Sequence, residues 1–362
     1  MKKICIGCGA TLQDENKNLV GYSPNILENL YCQRCFRIKN YNELPKIVAE
    51  NKDYEKVIDE VIKKNGLIIF VVDIFQFKST FNKKMLEKLK NKDVILVANK
   101  FDLFPKSTKV EKVVEWLSKE CEKFSFKVLA ISVVSSKKGY YIDEFVNLID
   151  MARKDRDVYF LGVANVGKSS LINAVLKRFT DRVDDLISES MIPGTTLDQI
   201  KIMFFNDGKY LIDTPGLINE GDILTKLLPQ SYKKIIPTSE IKPKTFQIYS
   251  DNAIMLAGLA SIRIKSDDVI SLIVYTSNDL YIHRCKGTNL NKLYNEQLGK
   301  LLNPPSYEEI KNIEYEIKNI KLDGIKKKTI WFSGFGFVSV VGKCELEIKY
   351  VKNTDIYITN SI

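Results

Sequence analysis

Apolar runs and helix-spaced apolar positions alternate along residues 55–216. Leu67–Val72 is a continuous apolar run, as expected of a buried parallel strand, and Phe81–Lys90 has helical spacing. Asp93–Ala98 and Asp157–Gly162 repeat the strand pattern. The other elements predicted in this region are strands 127–133, 200–206 and 209–213 and helices 140–152 and 169–178. Strands that alternate with helices predict an α/β domain, a mostly parallel sheet with helices on both faces.

The pattern changes from about residue 225 onward. A helix is predicted over Asn289–Leu301, with a break at Pro304-Pro305. Short strands dominate the rest, and they are predicted at 244–250, 260–265, 269–276, 279–285, 329–332, 335–341 and 344–351. This region is therefore predicted to form an α+β domain. We expect domains over residues 1–45, 46–220 and 221–362.

Two C-x-x-C pairs mark the N-terminal segment: Cys5 with Cys8, and Cys32 with Cys35, with 23 residues between the pairs. Four thiolates at this spacing can close a tetrahedral Zn²⁺ site. Disulfides or a redox pair are the alternatives, but a cytosolic setting disfavours disulfides and neither pair lies at a βαβ redox site. We predict structural zinc held by all four cysteines. Segment 1–40 has few apolar residues, so metal binding should be coupled to folding.

A glycine-rich loop follows the predicted strand 157–162. Residues 162–169 read GVANVGKS, and a helix pattern begins at Ser169. Strand, loop and helix in this order are the context of a phosphate-binding loop, whose backbone N–H groups cradle phosphates. Lys168 is predicted to reach the β- and γ-phosphates, and Ser169 to ligate Mg²⁺. The backbone cradle is predicted from Asn165, Val166, Gly167, Lys168, Ser169 and Ser170.

Asn99-Lys100-Phe101-Asp102 has the N-K-x-D form that selects guanine, at the carboxyl end of strand 93–98. The Asp102 carboxylate can accept hydrogen bonds from guanine N1 and its exocyclic amine, which adenine cannot offer. Asn99 is predicted to brace neighbouring loops, with the stem of Lys100 over the base. The loop Ser135-Ser136-Lys137 stands where an S-A-K loop would meet guanine O6 through backbone N–H groups; an ordinary serine-rich turn is the alternative.

Asp213-Thr214-Pro215-Gly216 has the D-x-x-G form, in which Asp213 holds Mg²⁺ through water and the Gly216 N–H meets the γ-phosphate. Residues 180–198 are polar and end in Pro193-Gly194-Thr195-Thr196, where Thr196 rather than Thr195 is predicted as the switch ligand of Mg²⁺. The usual GTPase order is phosphate loop, D-x-x-G, N-K-x-D. Here N-K-x-D comes first, which predicts a circularly permuted P-loop GTPase domain binding GTP or GDP.

Leu217 occupies the position at which Ras-like enzymes keep a water-orienting glutamine. A leucine cannot position water, so either intrinsic turnover is slow or another group supplies charge. Asn165 can help ligate a monovalent cation such as K⁺ against the phosphates, which would stabilise the transition state. A residue that only braces the loop is the equal alternative. Lys168, Thr196 and Asn165 are the predicted catalytic residues.

The formal net charge is +10, and lysine supplies most of the positive charge. This favours a polyanionic partner such as RNA, although lysine bias from genome composition explains it about as well. His283 is the only histidine, which excludes His-dependent triads and H-E-x-x-H zinc hydrolases. No apolar stretch approaches the roughly 18 residues of a membrane span. A cytoplasmic protein without membrane or DNA partners is expected.

Five aromatic residues of the predicted C-terminal strands could stack on unpaired RNA bases. They are Tyr275, Tyr281, Trp331, Phe335 and Phe337. Burial in the core is the more common role of such residues. Lys326-Lys327-Lys328 is in the same way either a solvated turn or a phosphate contact.

Taken together, a four-cysteine module, a G domain in this motif order and a C-terminal domain of this length resemble the YqeH family of ribosome-assembly GTPases. The residues that carry the resemblance are Cys5, Cys8, Cys32, Cys35, Asn99–Asp102, Gly162–Ser169, Pro193–Thr196, Asp213–Gly216, Leu302–Pro305 and Gly334–Val338. The resemblance implies a role in small (30S) ribosomal subunit biogenesis, GTP-dependent binding of ribosomal RNA or the ribosome, and a glutamine-lacking site stimulated by potassium. Related plant and mitochondrial proteins were once linked to nitric oxide synthesis, but nothing in this sequence offers a haem or flavin site.

The preferred hypothesis is a GTPase switch in which the γ-phosphate orders residues 180–198 and 213–225 and so sets affinity for pre-ribosomal RNA. One alternative is a zinc-containing RNA-binding protein with a vestigial, non-hydrolysing nucleotide site. A tRNA-modification or signalling GTPase is the other, disfavoured because no modification residues are evident.

Overall fold

The computed structural model describes residues 3–5, 11–15, 21–33, 36, 51–178, 192–193 and 200–360. The chain forms two compact units. The first comprises residues 1–74, 80–102 and 108–218, and the second comprises 75–79, 103–107 and 219–362. The three-domain division with boundaries at 45 and 220 stays a prediction. Within the described part of the chain, every helix is too short or too polar to cross a membrane.

A seven-stranded sheet organises the first unit, in the order β3-β2-β1-β4-β7-β6-β5. Its strands are β1 (Leu67–Asp73), β2 (Val94–Asn99), β3 (Ala130–Val133), β4 (Val158–Leu161), β5 (Ile192–Pro193), β6 (Ile200–Met203) and β7 (Tyr210–Asp213). The pairs β3-β2, β2-β1, β1-β4 and β4-β7 are parallel, whereas β6 runs antiparallel to both β7 and β5. The predicted mostly parallel α/β sheet is confirmed.

The central strands are apolar because both of their faces are covered. All residues of β1, β2 and β4 are buried, as expected where helices pack on both sides of a parallel sheet. In register, Asp73 of β1 lies beside Asn99 of β2, and Phe160 of β4 lies beside Asp213 of β7. The polar residues of this sheet therefore collect at the carboxyl ends of adjacent strands, where ligands of open α/β sheets bind.

The longer helices of this unit bury an apolar stripe. They are α1 (Asn51–Lys63), α2 (Phe77–Thr80, shared with the second unit), α3 (Lys83–Leu89), α4 (Val110–Lys123), α5 (Ile142–Arg153) and α6 (Lys168–Arg178). In α4, Val113, Leu117 and Cys121 are buried at four-residue spacing. Phe145 of α5 packs edge-to-face on Phe160 of β4, with ring centroids 6.4 Å apart. Leu171, Ile172 and Val175 of α6 are buried in the same core as the sheet residues, which holds the helix that begins at Lys168 against the sheet.

Two five-stranded antiparallel sheets form most of the second unit. The strands of the first sheet, in the order β12-β9-β10-β16-β13, are β9 (Asn252–Leu256), β10 (Ala260–Lys265), β12 (Ile282–Lys286), β13 (Tyr315–Asp323) and β16 (Lys343–Val351). Those of the second, in the order β17-β14-β15-β11-β8, are β8 (Lys244–Ile248), β11 (Ile270–Thr276), β14 (Lys328–Phe332), β15 (Gly336–Val341) and β17 (Ile356–Asn360). Strands β9, β13 and β17 were not among the elements predicted from sequence.

Alternating burial along these strands builds one core between the two sheets. In β11, alternate residues from Ile270 to Thr276 are buried, and side chains such as Ile262, Ile348 and Val338 join the same cluster. Three of the five aromatic residues proposed as RNA-stacking candidates are nearly inaccessible: Trp331 (2%), Phe335 (3%) and Phe337 (4%). A base cannot stack on these rings, so the alternative, a core role, holds for them.

Short helices complete this unit: α7 (Pro229–Ile235), α8 (Leu290–Gln297) and α9 (Tyr307–Ile310). The prediction for α8, Asn289–Leu301, was four residues too long at its end. The chain leaves the helix because Leu298 is extended and Gly299 takes a left-handed φ of 77°. Leu290 and Tyr294 of α8 pack on Ala253 and Met255 of β9.

Glu309 connects α7 and α9 through its carboxylate. It is 3% exposed and accepts hydrogen bonds from the Leu228 N–H (2.6 Å), the Ser306 N–H (2.5 Å) and the Ser231 hydroxyl (2.8 Å). Burial raises the pKa of Glu309, but the hydrogen bonds from Ser306, Leu228 and Ser231 outweigh burial and hold the pKa below its ordinary value.

Substitution of Glu309 by glutamine should lower the free energy of unfolding by about 1–3 kcal/mol at neutral pH, because an amide satisfies these donors incompletely. Since the folded-state pKa is depressed, the carboxylate stabilises the fold above its unfolded-state pKa. That contribution is lost as pH falls through the folded-state pKa. Thermal unfolding at several pH values should show the gap between wild type and Glu309→Gln closing under acid. Glu308→Gln, at the exposed neighbouring position, is the matched control; equal effects of both variants would contradict the assignment.

Candidate functional site

The phosphate-loop sequence lies between β4 and α6, as its motif predicts. Gly167 has φ of 93°, and a Cβ there would come within 2.4 Å of the Asn99 amide nitrogen. Glycine is therefore required both by the backbone and by the close approach of Asn99. Asn165, with φ of 66°, adopts the left-handed conformation without being glycine. Asparagine is one of the few non-glycine residues that adopt this conformation readily, as a tight turn of the loop requires.

Lys168 is buried beneath this loop at 6% exposure. Its ammonium group donates to the carbonyl oxygens of Gly162 (3.0 Å) and Val163 (3.3 Å). Burial lowers the pKa of Lys168 to about 8, and the nearby Asp213 carboxylate opposes that shift. The sequence of the loop thus places one cationic donor in a largely desolvated position under the backbone cradle.

Ser169 and Asp213 meet at the first turn of α6. The Ser169 hydroxyl donates to Asp213 Oδ2 at 2.6 Å, and Asp213 is fully buried at the end of β7. A serine hydroxyl and a carboxylate are hard oxygen ligands of the kind that Mg²⁺ prefers. These two side chains fit a magnesium ion beside a phosphate, directly or through water. Thr196, the predicted third contributor, and Thr195 lie outside the described residues.

The D-x-x-G segment runs directly alongside the phosphate loop. The Thr214 hydroxyl donates to the Phe160 carbonyl at 2.6 Å, and the Ala164 N–H donates to the Leu217 carbonyl at 2.7 Å. A Cβ on Gly216 would come within 2.7 Å of Ala164 Cα and 3.0 Å of Lys168 Nζ. Only glycine fits this approach, which keeps the Gly216 backbone next to the lysine that is predicted to contact the γ-phosphate.

Asn99 connects the N-K-x-D segment with the phosphate loop and with the loop at 135–137. Its amide donates to the Val166 carbonyl at 2.9 Å, and its carbonyl accepts from the Ser136 N–H at 3.1 Å. Asn99 is fully buried. These contacts fit the bracing role predicted for Asn99, because one side chain links the phosphate loop with the loop at 135–137.

Asp102 is oriented by Ser135 from the loop at 135–137. The Ser135 hydroxyl donates to Asp102 Oδ1 at 2.6 Å and itself accepts from the Lys138 N–H at 3.0 Å. Ser135 is buried, whereas Asp102 is only half-buried. Oδ1 of Asp102 is thus held by a hydrogen bond, while part of the carboxylate stays exposed to solvent. A carboxylate that recognises the edge of a base needs both features. Lys137, by contrast, is exposed.

The structure adds Asp73, a residue of β1 to which the sequence patterns assigned no role. Its carboxylate lies 2.6 Å from Lys100 Nζ. A charged residue that ends a fully apolar parallel strand, beside the N-K-x-D strand, is a signal that could have identified it.

At the N-terminus, two of the four predicted zinc ligands lie together. Cys5 and Cys32 are buried, and the Cys32 N–H donates to Cys5 Sγ at 3.1 Å. Leu12, Ile26 and Tyr31 pack around them. Cys8 and Cys35 lie outside the described residues. Among those that are described, no three His, Cys, Asp or Glu side chains converge as a metal site.

Comparison with known proteins identifies the family. Residues 157–271 match the family model described as 50S ribosome-binding GTPase, and residues 269–362 match the model described as YqeH-like, C-terminal. The protein YqeH of Bacillus subtilis (strain 168) is 36% identical over 342 residues, which cover 94% of this chain and 93% of that protein. This chain belongs to the YqeH family.

Other relatives of this YqeH family member include a ribosome-biogenesis GTPase. NO-associated protein 1 of Arabidopsis thaliana is 27% identical over 93% of this chain and 69% of its own length. The small ribosomal subunit biogenesis GTPase RsgA of Thermotoga neapolitana is 30% identical over 59% of this chain and 64% of its own length. The chain therefore carries a P-loop GTPase domain and is related to ribosome-biogenesis GTPases, so GTP, GDP and Mg²⁺ are its expected ligands.

Proposed function

We propose that this YqeH family member hydrolyses GTP to GDP and phosphate and acts as a nucleotide-dependent switch in assembly of the 30S ribosomal subunit. The observation that carries the proposal is the hydrogen bond from Asn99 to the Val166 carbonyl, at 2.9 Å. It couples the candidate guanine loop to the candidate phosphate loop. One nucleotide could therefore contact both loops at once.

The G domain is proposed to be circularly permuted. In chain order, N-K-x-D ends β2, the phosphate loop follows β4, and D-x-x-G follows β7, whereas the sheet places β2, β1, β4 and β7 side by side. A short connection, residues 154–157, leads from α5 to β4. It would join what are the two ends of the chain in a G domain of the usual order.

Residues of the phosphate side are proposed to act as follows. Lys168 would contact the β- and γ-phosphates, the loop N–H groups would donate hydrogen bonds to phosphate oxygens, and Ser169 with Asp213 would hold Mg²⁺. The metal would neutralise charge that develops as water attacks the γ-phosphorus and the bond to the β-phosphate oxygen breaks. Leu217 provides no group that could orient that water.

Potassium is proposed to supply the missing charge, with Asn165 as its protein ligand. GTP turnover should be several-fold faster in K⁺ than in Na⁺ at equal ionic strength, as expected when a cation stabilises developing charge in the transition state. Asn165→Asp, which retains an oxygen ligand, should keep the K⁺ preference, and Asn165→Ala should lose it. Equal rates in the two salts would contradict this role and leave loop bracing as the function of Asn165.

Zinc is proposed to be bound by Cys5, Cys8, Cys32 and Cys35. The buried Cys5–Cys32 pair and its N–H···S hydrogen bond support this site. Purified protein should contain one zinc per chain by elemental analysis, and Cys32→Ser should lose it and expose the N-terminal segment to proteolysis. Cys285→Ser, in the second unit, is the matched control. Full zinc content in Cys32→Ser would contradict the proposed ligand set.

The ribosomal role is proposed to depend on the γ-phosphate. D-x-x-G ends at Gly216, and the continuous part of the second unit begins at Asn219. Ordering of residues 213–225 by GTP could therefore transmit the nucleotide state to it. Trp331, Phe335 and Phe337 are buried, whereas Tyr281 is exposed. RNA contact would therefore rest on Tyr281 and on exposed lysines such as Lys326.

Co-sedimentation with purified 30S and 50S particles tests the proposal. We expect binding to 30S that differs at least tenfold between GDP and a non-hydrolysable GTP analogue, a coupling within the usual range of allosteric effects. Equal 30S binding in both states would refute the switch. Preferential binding to 50S would refute the choice of subunit. Ribosome binding without any GTP turnover would instead support the vestigial-site alternative.

A further inference from the structure

Asp73 is the one charged residue of β1, and its position is unusual. The strand is buried throughout, and Asp73 itself is 5% exposed. It lies at the carboxyl end of the strand, in register with Asn99 of N-K-x-D. A carboxylate in such a place is costly unless it is paired with a cation or held by hydrogen bonds.

The partner of Asp73 is Lys100, at 2.6 Å between Nζ and Oδ2. Lys100 has a left-handed backbone, with φ of 68°. Non-glycine residues avoid this conformation, so an interaction elsewhere must compensate for it. The ion pair provides that interaction, and it fixes the direction in which the Lys100 side chain leaves the loop.

Asp73 is in turn held by Thr80, seven residues later. The Thr80 hydroxyl accepts from the Asp73 N–H at 3.2 Å and donates to the Asp73 carbonyl at 3.3 Å. Thr80 is 6% exposed. Backbone and carboxylate of Asp73 are therefore both fixed before any ligand binds, which is what a supporting residue of a binding site needs.

We propose that Asp73 is a positioning residue for guanine-nucleotide binding, acting through Lys100. It holds the Lys100 stem where it can cover the face of the base, and it does not itself touch the nucleotide. The inference rests on the proposed guanine site at Asn99–Asp102. It extends that site by one residue from a neighbouring strand, and by Thr80 behind it.

A double-mutant cycle on GDP affinity tests the proposal, with Asp73→Asn, Lys100→Met and the combination. Methionine keeps an apolar stem but removes the charge. Asp73→Asn should weaken GDP binding about tenfold, as loss of a charge-assisted hydrogen bond does. In the Lys100→Met background the same change should have an effect of less than about twofold. Affinity for pyrophosphate, which probes the phosphate loop alone, should not change.

Equal losses in both backgrounds would overturn the proposal, because Asp73 would then act independently of Lys100. An unchanged GDP affinity in folded Asp73→Asn would overturn it as well. Asp59→Asn, which breaks the half-exposed ion pair with Lys88 at 2.7 Å, is the control and should leave GDP affinity unchanged.

If Asp73→Asn does not fold, Thr80 gives a second route to the same answer. Thr80→Val removes the hydroxyl and keeps the shape, whereas Thr80→Ser keeps the hydroxyl. The valine variant should bind GDP about threefold more weakly than the serine variant, as expected when hydrogen bonds to a supporting residue are lost; equal affinities would overturn the proposal. A wild-type protein with no preference for GDP over ADP would refute the proposed function instead.

Discussion

Replacement of Lys168 by alanine should abolish GTP turnover, with a loss of at least about 10²-fold. The amine is 6% exposed, lies under the phosphate loop and is within hydrogen-bond reach of two loop carbonyls. In this position the positive charge of the amine can stabilise negative charge on the γ-phosphate oxygens as the bond to the leaving group breaks. Alanine removes that charge and leaves the loop backbone without its internal donor.

Turnover and nucleotide affinity should be measured together for this variant, by phosphate release and by calorimetry. Lys177→Ala is the matched control, because Lys177 lies on the same helix at its exposed end. We expect the control to retain wild-type rates. If Lys168→Ala hydrolyses GTP at a rate within a few-fold of wild type, then the reaction occurs at another site or is due to a contaminating enzyme.

Asp102→Asn should change the preferred base, with roughly a 10³-fold loss of GDP affinity and a gain for xanthosine diphosphate. In the proposed site, the carboxylate would accept hydrogen bonds from N1–H and from the exocyclic amine of guanine. An asparagine amide would face that amine with its own N–H group, leaving two donors opposed. Xanthine has a carbonyl at the same ring position, so it restores a donor–acceptor pair.

Competition among GDP, xanthosine diphosphate and ADP measures this change directly. Ser135→Ala is the graded control: it removes the 2.6 Å hydrogen bond to Asp102 but keeps the carboxylate. It should weaken GDP binding by about tenfold without changing the order of preference. An Asp102→Asn protein that still prefers GDP to xanthosine diphosphate would mean that another residue reads the base.

Sequence patterns predicted the central strands of the first unit closely, because these strands are continuous apolar runs ended by polar motifs, whereas helices α1 and α4 were not among the predicted elements. Predicted strands 93–98 and 157–162 differ from β2 and β4 by about one residue at either end. Each ends at a motif whose chemistry requires a strand-to-loop transition. Local signals and the tertiary arrangement agree there, and such agreement is what makes a boundary readable from sequence.

The second unit was harder to predict. Strand β13, Tyr315–Asp323, has mixed polar and apolar residues and buries only Leu322 fully, so its alternation is weak. Strand β9 is buried over four consecutive residues, Ala253–Leu256. A short apolar run of this kind does not by itself distinguish a strand from a buried helix. Both strands depend on long-range pairing, which a local pattern cannot report.

Partners that are distant in the chain were also beyond prediction. The sequence indicated Lys100 as a residue of the base loop, but nothing local linked it to Asp73, which reaches it across two parallel strands. The same holds for Glu309 and its donor Leu228. In each case the fold, and not the spacing, determines which polar groups can satisfy one another.

Strand β1 has β2 on one side and β4 on the other, and β4 comes later in the chain than β1, β2 and β3. During synthesis, the nascent polypeptide can therefore pair β1 with β2 before β4 has been made. The opposite edge of β1, Leu67–Phe70, stays unpaired until the ribosome has added the residues of β4. An apolar strand edge left open in this way favours aggregation, so this interval is when a chaperone would matter most. In the proposed site, the half that would recognise the base is made first, and it would retain no nucleotide until the half that would bind phosphate has emerged and closed that edge.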